Sequence, residues 1–110
     1  MEFKVWYHTE AKQMGFGYKK GTLRVEPGRT TLETKEGTIE IAPIQSLGRR
    51  FVSLWLKWVE IHYGAGGEKQ LFMGDRRALG WAGILGGNTR IEEALRVAAA
   101  GDSPAPPPPA

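Results

Sequence analysis

Residues 22–41, TLRVEPGRTTLETKEGTIEI, contain the pattern that decides the fold class of this chain. Leu23 and Val25 fall on one face of the first segment while threonine, arginine and glutamate fall on the other, which is the two-residue period of a half-buried strand. Turn residues then separate it from two further short runs rich in β-branched side chains. These runs predict an antiparallel meander of three strands, at 22–26, 30–34 and 38–41.

Further strands are predicted on both sides of this meander. Phe3, Val5 and Tyr7 alternate with polar residues and predict an additional N-terminal strand before a looser stretch that ends at Gly21. A fourth strand is expected from about Gln45 to Val52. The glycine-rich turn at 64–67 then predicts a hairpin. In its first strand Val59, Ile61 and Tyr63 share one face and Trp58, Glu60 and His62 the other, and its second strand covers 69–73.

The pattern changes to a helical period near the C-terminus. Asp75 is a candidate cap for a short helix at 76–85, which Gly86-Gly87 would end. Thr89 and Glu92 have the spacing of a capping box, and a stripe of Ile91, Ala94, Leu95 and Ala98 follows. The predicted fold class is therefore mainly β, a small antiparallel barrel or sandwich capped by a C-terminal helix.

Length and composition indicate one small globular domain. The chain has 110 residues, 41% of them hydrophobic and 25% charged, and its formal net charge is +3. It contains no cysteine, which excludes disulfides, thiolate nucleophiles and iron–sulfur ligation. Five of the seven prolines fall in residues 101–110. We therefore expect one domain at 1–100 and a disordered, polyproline-biased tail at 101–110.

The sequence carries no pattern of a catalytic or metal site. His8 and His62 are the only histidines, and neither has a partner at helical ligand spacing. The serines lack a nucleophile elbow, and the glycine-rich stretch at 64–67 lacks the spacing of a phosphate-binding loop. We expect a protein that is not an enzyme and that uses no cofactor or metal. The first residues do not resemble a signal peptide and no apolar run reaches spanning length, so a cytoplasmic location is expected.

Several segments resemble the GRAM-type and bacterial pleckstrin-homology domains. The run 21–25 followed by Leu32 and by 39–44 leading to Leu47 is similar to their opening pattern, and WVEIHY at 58–63 is similar to one of their later strands. The segment GWAGILGG at 80–87, with Ile91 and Leu95, is similar to their closing segment. This resemblance covers residues 21–97. It implies an open barrel plugged by the C-terminal helix.

The resemblance also implies a binding role, because members of these families bind phosphoinositide headgroups, phospholipid surfaces or proteins. Lipid-binding members present basic residues from the first two strands and their loop. Here the loop at 26–29 is short and carries Glu26, so weak attraction to an anionic surface is the most we expect, with possible peripheral membrane association. The candidate anion-binding residues are Lys19, Lys20, Arg24, Arg29, Arg49 and Arg50.

Apolar residues next to the second strand group are the candidate protein-contact site. Leu54, Trp55 and Leu56 have no turn residue among them, so they form either an exposed apolar loop or part of the core. Trp58 is a second candidate for an outward aromatic side chain. We expect a non-catalytic binding module that acts through protein contacts or self-association, with anionic lipid headgroups as the alternative ligand. The dispersed charge argues against nucleic acid.

Overall fold

The computed structural model describes residues 1–9, 18–51, 57–77 and 86–102, and it shows a mainly β protein with a C-terminal helix. This confirms the predicted fold class. In chain order the elements are β1 (Glu2–His8), β2 (Lys19–Glu26), β3 (Arg29–Thr34), β4 (Gly37–Glu40), β5 (Ile44–Phe51), β6 (Lys57–Tyr63), β7 (Lys69–Asp75) and α1 (Asn88–Asp102).

The seven strands form one antiparallel sheet in the order β4-β3-β2-β1-β7-β6-β5. Every neighbouring pair except β1 and β7 is consecutive along the chain, so β1 joins a four-strand meander to a three-strand meander. The sheet is not closed, because its two edge strands, β4 and β5, do not pair with each other. These two strands are nevertheless consecutive along the chain, with only three residues between them. An open barrel or a sandwich fits this arrangement.

The predicted strands are present with small shifts at their ends. The structure begins β2 three residues earlier than the sequence pattern indicated and extends β7 by two residues to Asp75. The glycine-rich segment forms the expected hairpin turn between β6 and β7, with the Gly67 amide donating to the Gly64 carbonyl at 3.1 Å. Val52, the last residue of the predicted fourth strand, lies outside the described residues.

The hydrophobic core lies between the sheet and α1. Leu23, Leu32, Val59 and Ile61 from the strands are fully buried, as is Leu95 from α1. The apolar positions that the sequence pattern placed on one face of the hairpin all belong to this cluster. The amphipathic stripe of the C-terminal helix therefore docks on the open sheet, as its period predicts.

The start of α1 differs from the sequence prediction. The capping box predicted for Thr89 and Glu92 is wrong, because the helix already includes Asn88 and the Thr89 hydroxyl accepts from Arg49 Nη2 at 3.1 Å. Asn88 is 1% exposed. Its Oδ1 accepts from the Asp75 amide at 2.7 Å and its Nδ2 donates to the Lys57 carbonyl at 2.9 Å. This side chain ties the start of the helix to the ends of two strands.

The C-terminal boundary is also later than predicted. The helix continues to Asp102, two residues into the segment at 101–110 that the sequence assigned to a disordered tail. The remaining tail residues, 103–110, lie outside the described residues, as do residues 78–85 of the short helix predicted after Asp75.

Candidate functional site

The predicted apolar contact site falls mostly outside the part of the chain that the structure describes. Leu54, Trp55 and Leu56 lie in the undescribed segment 52–56. Trp58, the second candidate contact residue, is not exposed, because only 5% of the residue is accessible. Strand alternation does place Trp58 on the face opposite the core, but that face is itself covered at this point.

An aromatic cluster occupies this second face of the sheet. Tyr18 lies edge-on to both Trp6 and Trp58, with ring centroids 5.1 and 5.6 Å apart. Phe72, on the same face, is fully buried although it does not belong to the core beneath α1. The Arg50 guanidinium lies 5.5 Å from its ring centroid. Aromatic residues that the strand pattern turns away from the core therefore build a second packed layer.

The structure places five of the six candidate anion-binding residues beside carboxylates. The carboxylates offset the positive charge that would otherwise attract an anionic ligand. Most of these ion pairs are exposed to solvent and contribute little to stability. The pairs are Lys19–Glu36 at 3.1 Å, Arg24–Glu33 at 3.1 Å, Arg29–Glu40 at 2.7 Å, Arg49–Glu92 at 2.5 Å and Arg50–Glu60 at 2.9 Å. The sixth residue, Lys20, lies 5.8 Å above the ring of Trp6.

These basic residues do not converge in one patch. Lys19 begins β2 whereas Arg29 follows its other end, and β2 and β5 are four positions apart in the sheet. Arg49 points to the helix side of β5, where it meets Glu92 of α1, and Arg50 points to the opposite side. The geometry therefore does not supply the shared basic surface that a phosphoinositide headgroup needs.

The first candidate binding site in the structure lies along the outer edge of β5, beside α1. In the described ranges seven residues of β5 pair with β6, and β5 has no strand on its other side. A groove of about 290 Å³ runs between this edge and the helix. Its lining residues are Ile44, Gln45, Ser46, Leu47, Arg96 and Ala99. We call this the β5 groove.

An ion triad joins the two walls of the β5 groove. Arg49 Nε donates to one carboxylate oxygen of Glu92 at 2.5 Å, and Arg96 Nη2 donates to the other at 2.7 Å. The hydrogen bond from Arg49, supported by Arg96, holds the pKa of Glu92 below its ordinary value of 4.5 despite partial burial. Two cations share one carboxylate, so the triad carries a net charge of +1.

A second groove lies between the outer side of α1 and the turn that joins β2 to β3. It has a volume of about 710 Å³ and a largely apolar wall. Met1 and Val97, which are 72% and 74% exposed, both line it. Pro27 and Ala94 extend the apolar wall between them. We call this the Val97 groove.

The described residues hold no group of three or more acidic or histidine side chains that could bind a metal ion. His62 Nε2 lies 3.4 Å from Glu60 Oε1, and that carboxylate also accepts from Arg50. Glu60 thus forms a cross-strand ion pair with Arg50 of β5, and His62 lies beside the same carboxylate on its own strand. Within the described ranges, no helix combines enough length and apolar character to cross a bilayer.

Sequence reasoning missed both grooves. Arg96 and Val97 read as ordinary solvent-facing helix residues, and Met1 carries no pattern at all. The free edge of β5 depends on the order of strands in the sheet, which is a property of long-range pairing. The one available signal was the spacing of Glu92 and Arg96, which places them as i, i+4 neighbours on a helix.

No protein-family model matches this chain, and a search of curated proteins gave no match either. The function is therefore inferred from the geometry of the described residues.

Proposed function

We propose that this protein is a non-catalytic, pleckstrin-homology-like binding module that contacts partner proteins by adding an extended peptide to the edge of β5. The observation that carries the proposal is the edge of β5, which no strand of the described residues covers, beside a groove walled by α1. A sheet that opens between its fourth and fifth strands and packs on a C-terminal helix supports the pleckstrin-homology-like part of the proposal.

A strand edge offers a row of backbone donors and acceptors that a second extended chain satisfies. Natural edge strands are usually short, covered or interrupted. The opposite edge, β4, has four residues, whereas β5 has eight. The register shift between Ile44 and Ser46 distorts the start of β5, but the register is regular from Ser46 to Phe51. Most of β5 therefore has the length and regularity that an added strand needs.

The β5 groove supplies side-chain contacts next to this edge. Leu47 is half-buried and packs on the edge of the core, and Ala99 of α1 lies across the groove from the strand. Their apolar surfaces form a floor for alternate side chains of the added peptide. A membrane role has less support, because five of the six basic residues predicted for it lie beside carboxylates and the six are spread over both faces of the sheet.

The proposal is tested by selecting a displayed library of random decapeptides on the immobilised protein and mapping selected peptides by NMR of the ¹⁵N-labelled chain. We expect the backbone amides of β5 and of Ala99 to shift on titration. Peptides that bind only at other surfaces, or a selection that yields no binder, would overturn the proposal.

Two neighbouring helix positions give matched variants for this test. Ala99 lines the β5 groove, whereas Ala100 is exposed and outside it. We expect Ala99→Phe to fill the groove and weaken peptide binding at least about tenfold, and Ala100→Phe to leave binding unchanged. Thermal melts of both variants check that each remains folded.

Self-association is a second candidate function, favoured by the exposure of Met1 and Val97 on one apolar groove. Large exposed apolar side chains that share a groove are typical of protein contacts. Light scattering across a concentration series tests this. We expect an oligomer of the native chain that Val97→Glu dissociates, while Thr38→Glu, on the exposed β4 edge, has no effect. A native monomer at every concentration would exclude self-association.

A further inference from the structure

We infer that the β5 groove selects acidic peptides, with an apolar residue and a carboxylate two positions apart in the extended ligand. This inference rests on the proposed function, because it assigns a ligand class to the same groove. It follows from the charge of the ion triad and from the faces of β5 on which the neighbouring side chains lie.

The wall of the β5 groove carries a net positive charge. Glu92 neutralises only one of the two guanidiniums that it binds. Arg49 is the more buried partner, with 27% of its side chain exposed, and Arg96 is 60% exposed. The excess positive charge is therefore presented by Arg96, which lines the groove. Arg96 uses Nη2 to hold Glu92, and a guanidinium has five N–H donors, so donors remain for a second carboxylate.

The position of Arg96 is fixed by the element that carries it. It is the ninth residue of the fifteen-residue helix α1, which Leu95 anchors in the core. The pairing with Glu92 at i, i+4 restrains the side chain further. A cation that is already held in place loses less conformational entropy on binding an anion, so it discriminates better than a free surface lysine.

The spacing rule follows from strand alternation. Leu47 and Arg49 lie on the helix side of β5, and Arg50 lies on the other side, where it meets Glu60. Alternate side chains of an added strand take the same two directions. Only its helix-side residues can reach Leu47, Ala99 and Arg96. An apolar residue for the floor and a carboxylate for Arg96 must therefore share that side, which requires an even spacing, and two positions is the shortest such spacing.

The inference is tested with four synthetic hexapeptides, each acetylated and amidated, titrated into the ¹⁵N-labelled full chain. The parent probe is Ser-Val-Thr-Glu-Thr-Ser. The second replaces glutamate by lysine, and the third is Ser-Val-Thr-Thr-Glu-Ser, in which the carboxylate moves to the opposite side of the strand. The fourth is the parent probe with every backbone amide N-methylated, which removes the donors that strand addition uses whichever set of amides faces β5.

We expect the parent probe to shift the amides of β5 and the resonances of Arg96. The lysine probe and the displaced-glutamate probe should bind about three- to tenfold more weakly, and the N-methylated probe should not bind. Arg96→Gln should abolish the preference for the parent probe. Arg90→Gln removes the same charge from the helix at a position outside the β5 groove, and it should preserve the preference.

The outcomes separate the two proposals. Equal binding of the parent, lysine and displaced-glutamate probes at β5, unaffected by Arg96→Gln, overturns the acidic selectivity and leaves strand addition intact. Binding of the N-methylated probe as strongly as the parent shows that the edge is not used, which overturns both proposals. Absence of any shift in β5 at millimolar concentrations of all four probes also overturns both.

Discussion

The indole ring of Trp58 lies so close to the backbone of Gly74 that a Cβ built on the glycine would come within 2.5 Å of Nε1 and 2.7 Å of Cδ1. Gly74 sits in β7 opposite Trp6 of β1. The absence of a side chain at this one position lets the Trp58 ring pack directly against the backbone of β7, and it explains why a tryptophan on the outer face is buried.

Gly74→Ala should therefore destabilise the protein. The added methyl group would displace a large ring that is enclosed on this face, and overpacking of this kind costs about 1–3 kcal/mol. Chemical denaturation followed by tryptophan fluorescence measures the loss. The change in emission should also report the displaced indole.

Gly48→Ala is the matched control for this substitution. Gly48 lies on β5, and a Cβ added there meets no atom within 4 Å. We expect its free energy of unfolding to stay within about 0.5 kcal/mol of the native value. Equal stability of the two alanine variants would show that Trp58 does not rest on Gly74 as described.

Asn88→Ala should be among the most damaging polar substitutions in the described chain. Its amide group satisfies the Asp75 N–H and the Lys57 carbonyl, and the residue is 1% exposed, so water cannot replace it without rearrangement. Losing both of these buried hydrogen bonds should cost at least about 2 kcal/mol. Thr89→Ala, at the next and exposed residue, should cost much less. Similar denaturation midpoints for the two variants would contradict the bridging role of Asn88.

The contributions of Asp75 and Arg77 to the free energy of unfolding should be coupled. Burial alone would raise the pKa of Asp75, but hydrogen bonds from the Arg77 guanidinium and amide outweigh it and hold that pKa below its ordinary value of 3.8. Arg77→Gln should raise the pKa of Asp75 and cost about 1 kcal/mol of stability at neutral pH, because Arg77 is half exposed. In a double-mutant cycle with Asp75→Asn the effects should be less than additive. Strict additivity would disprove the coupling.

Much of the sheet could be predicted from local sequence because its hairpins are local. The alternation around Leu23 and around Ile61, with tight turns between runs, was sufficient to place most strands. The pairing of β1 with β7 joins residues about 70 positions apart, and no local pattern encodes it. That pairing sets the sheet order, and with it the identity of the two edges.

The candidate site was less predictable for the same reason. Trp58 reads as exposed from its position in the strand, because the pattern cannot show that Gly74 leaves room for it. Dibasic Arg49-Arg50 reads as one charged corner, yet strand alternation sends the two side chains to opposite faces. The carboxylates that pair with them come from other elements, so the sequence overstated the free positive charge.

The ion triad should make the stability of the protein depend on pH. The pKa of Glu92 is depressed in the folded protein, chiefly by the hydrogen bond from Arg49, so the carboxylate stabilises the fold fully above its ordinary value of 4.5. This contribution is lost as the pH falls from that value through the lower folded pKa. Stability of the native chain and of Glu92→Gln should differ by about 1 kcal/mol at neutral pH, because the pair is partly exposed, and should converge in acid.

Urea denaturation at a series of pH values from about 8 to about 3 measures this difference. Glu93→Gln provides the control, since it removes the same charge from the neighbouring, exposed helix residue. Its stability should follow the native curve through the acid range. A gap between the native chain and Glu92→Gln that stays constant down to pH 3 would mean that the carboxylate form of Glu92 does not hold α1 to β5.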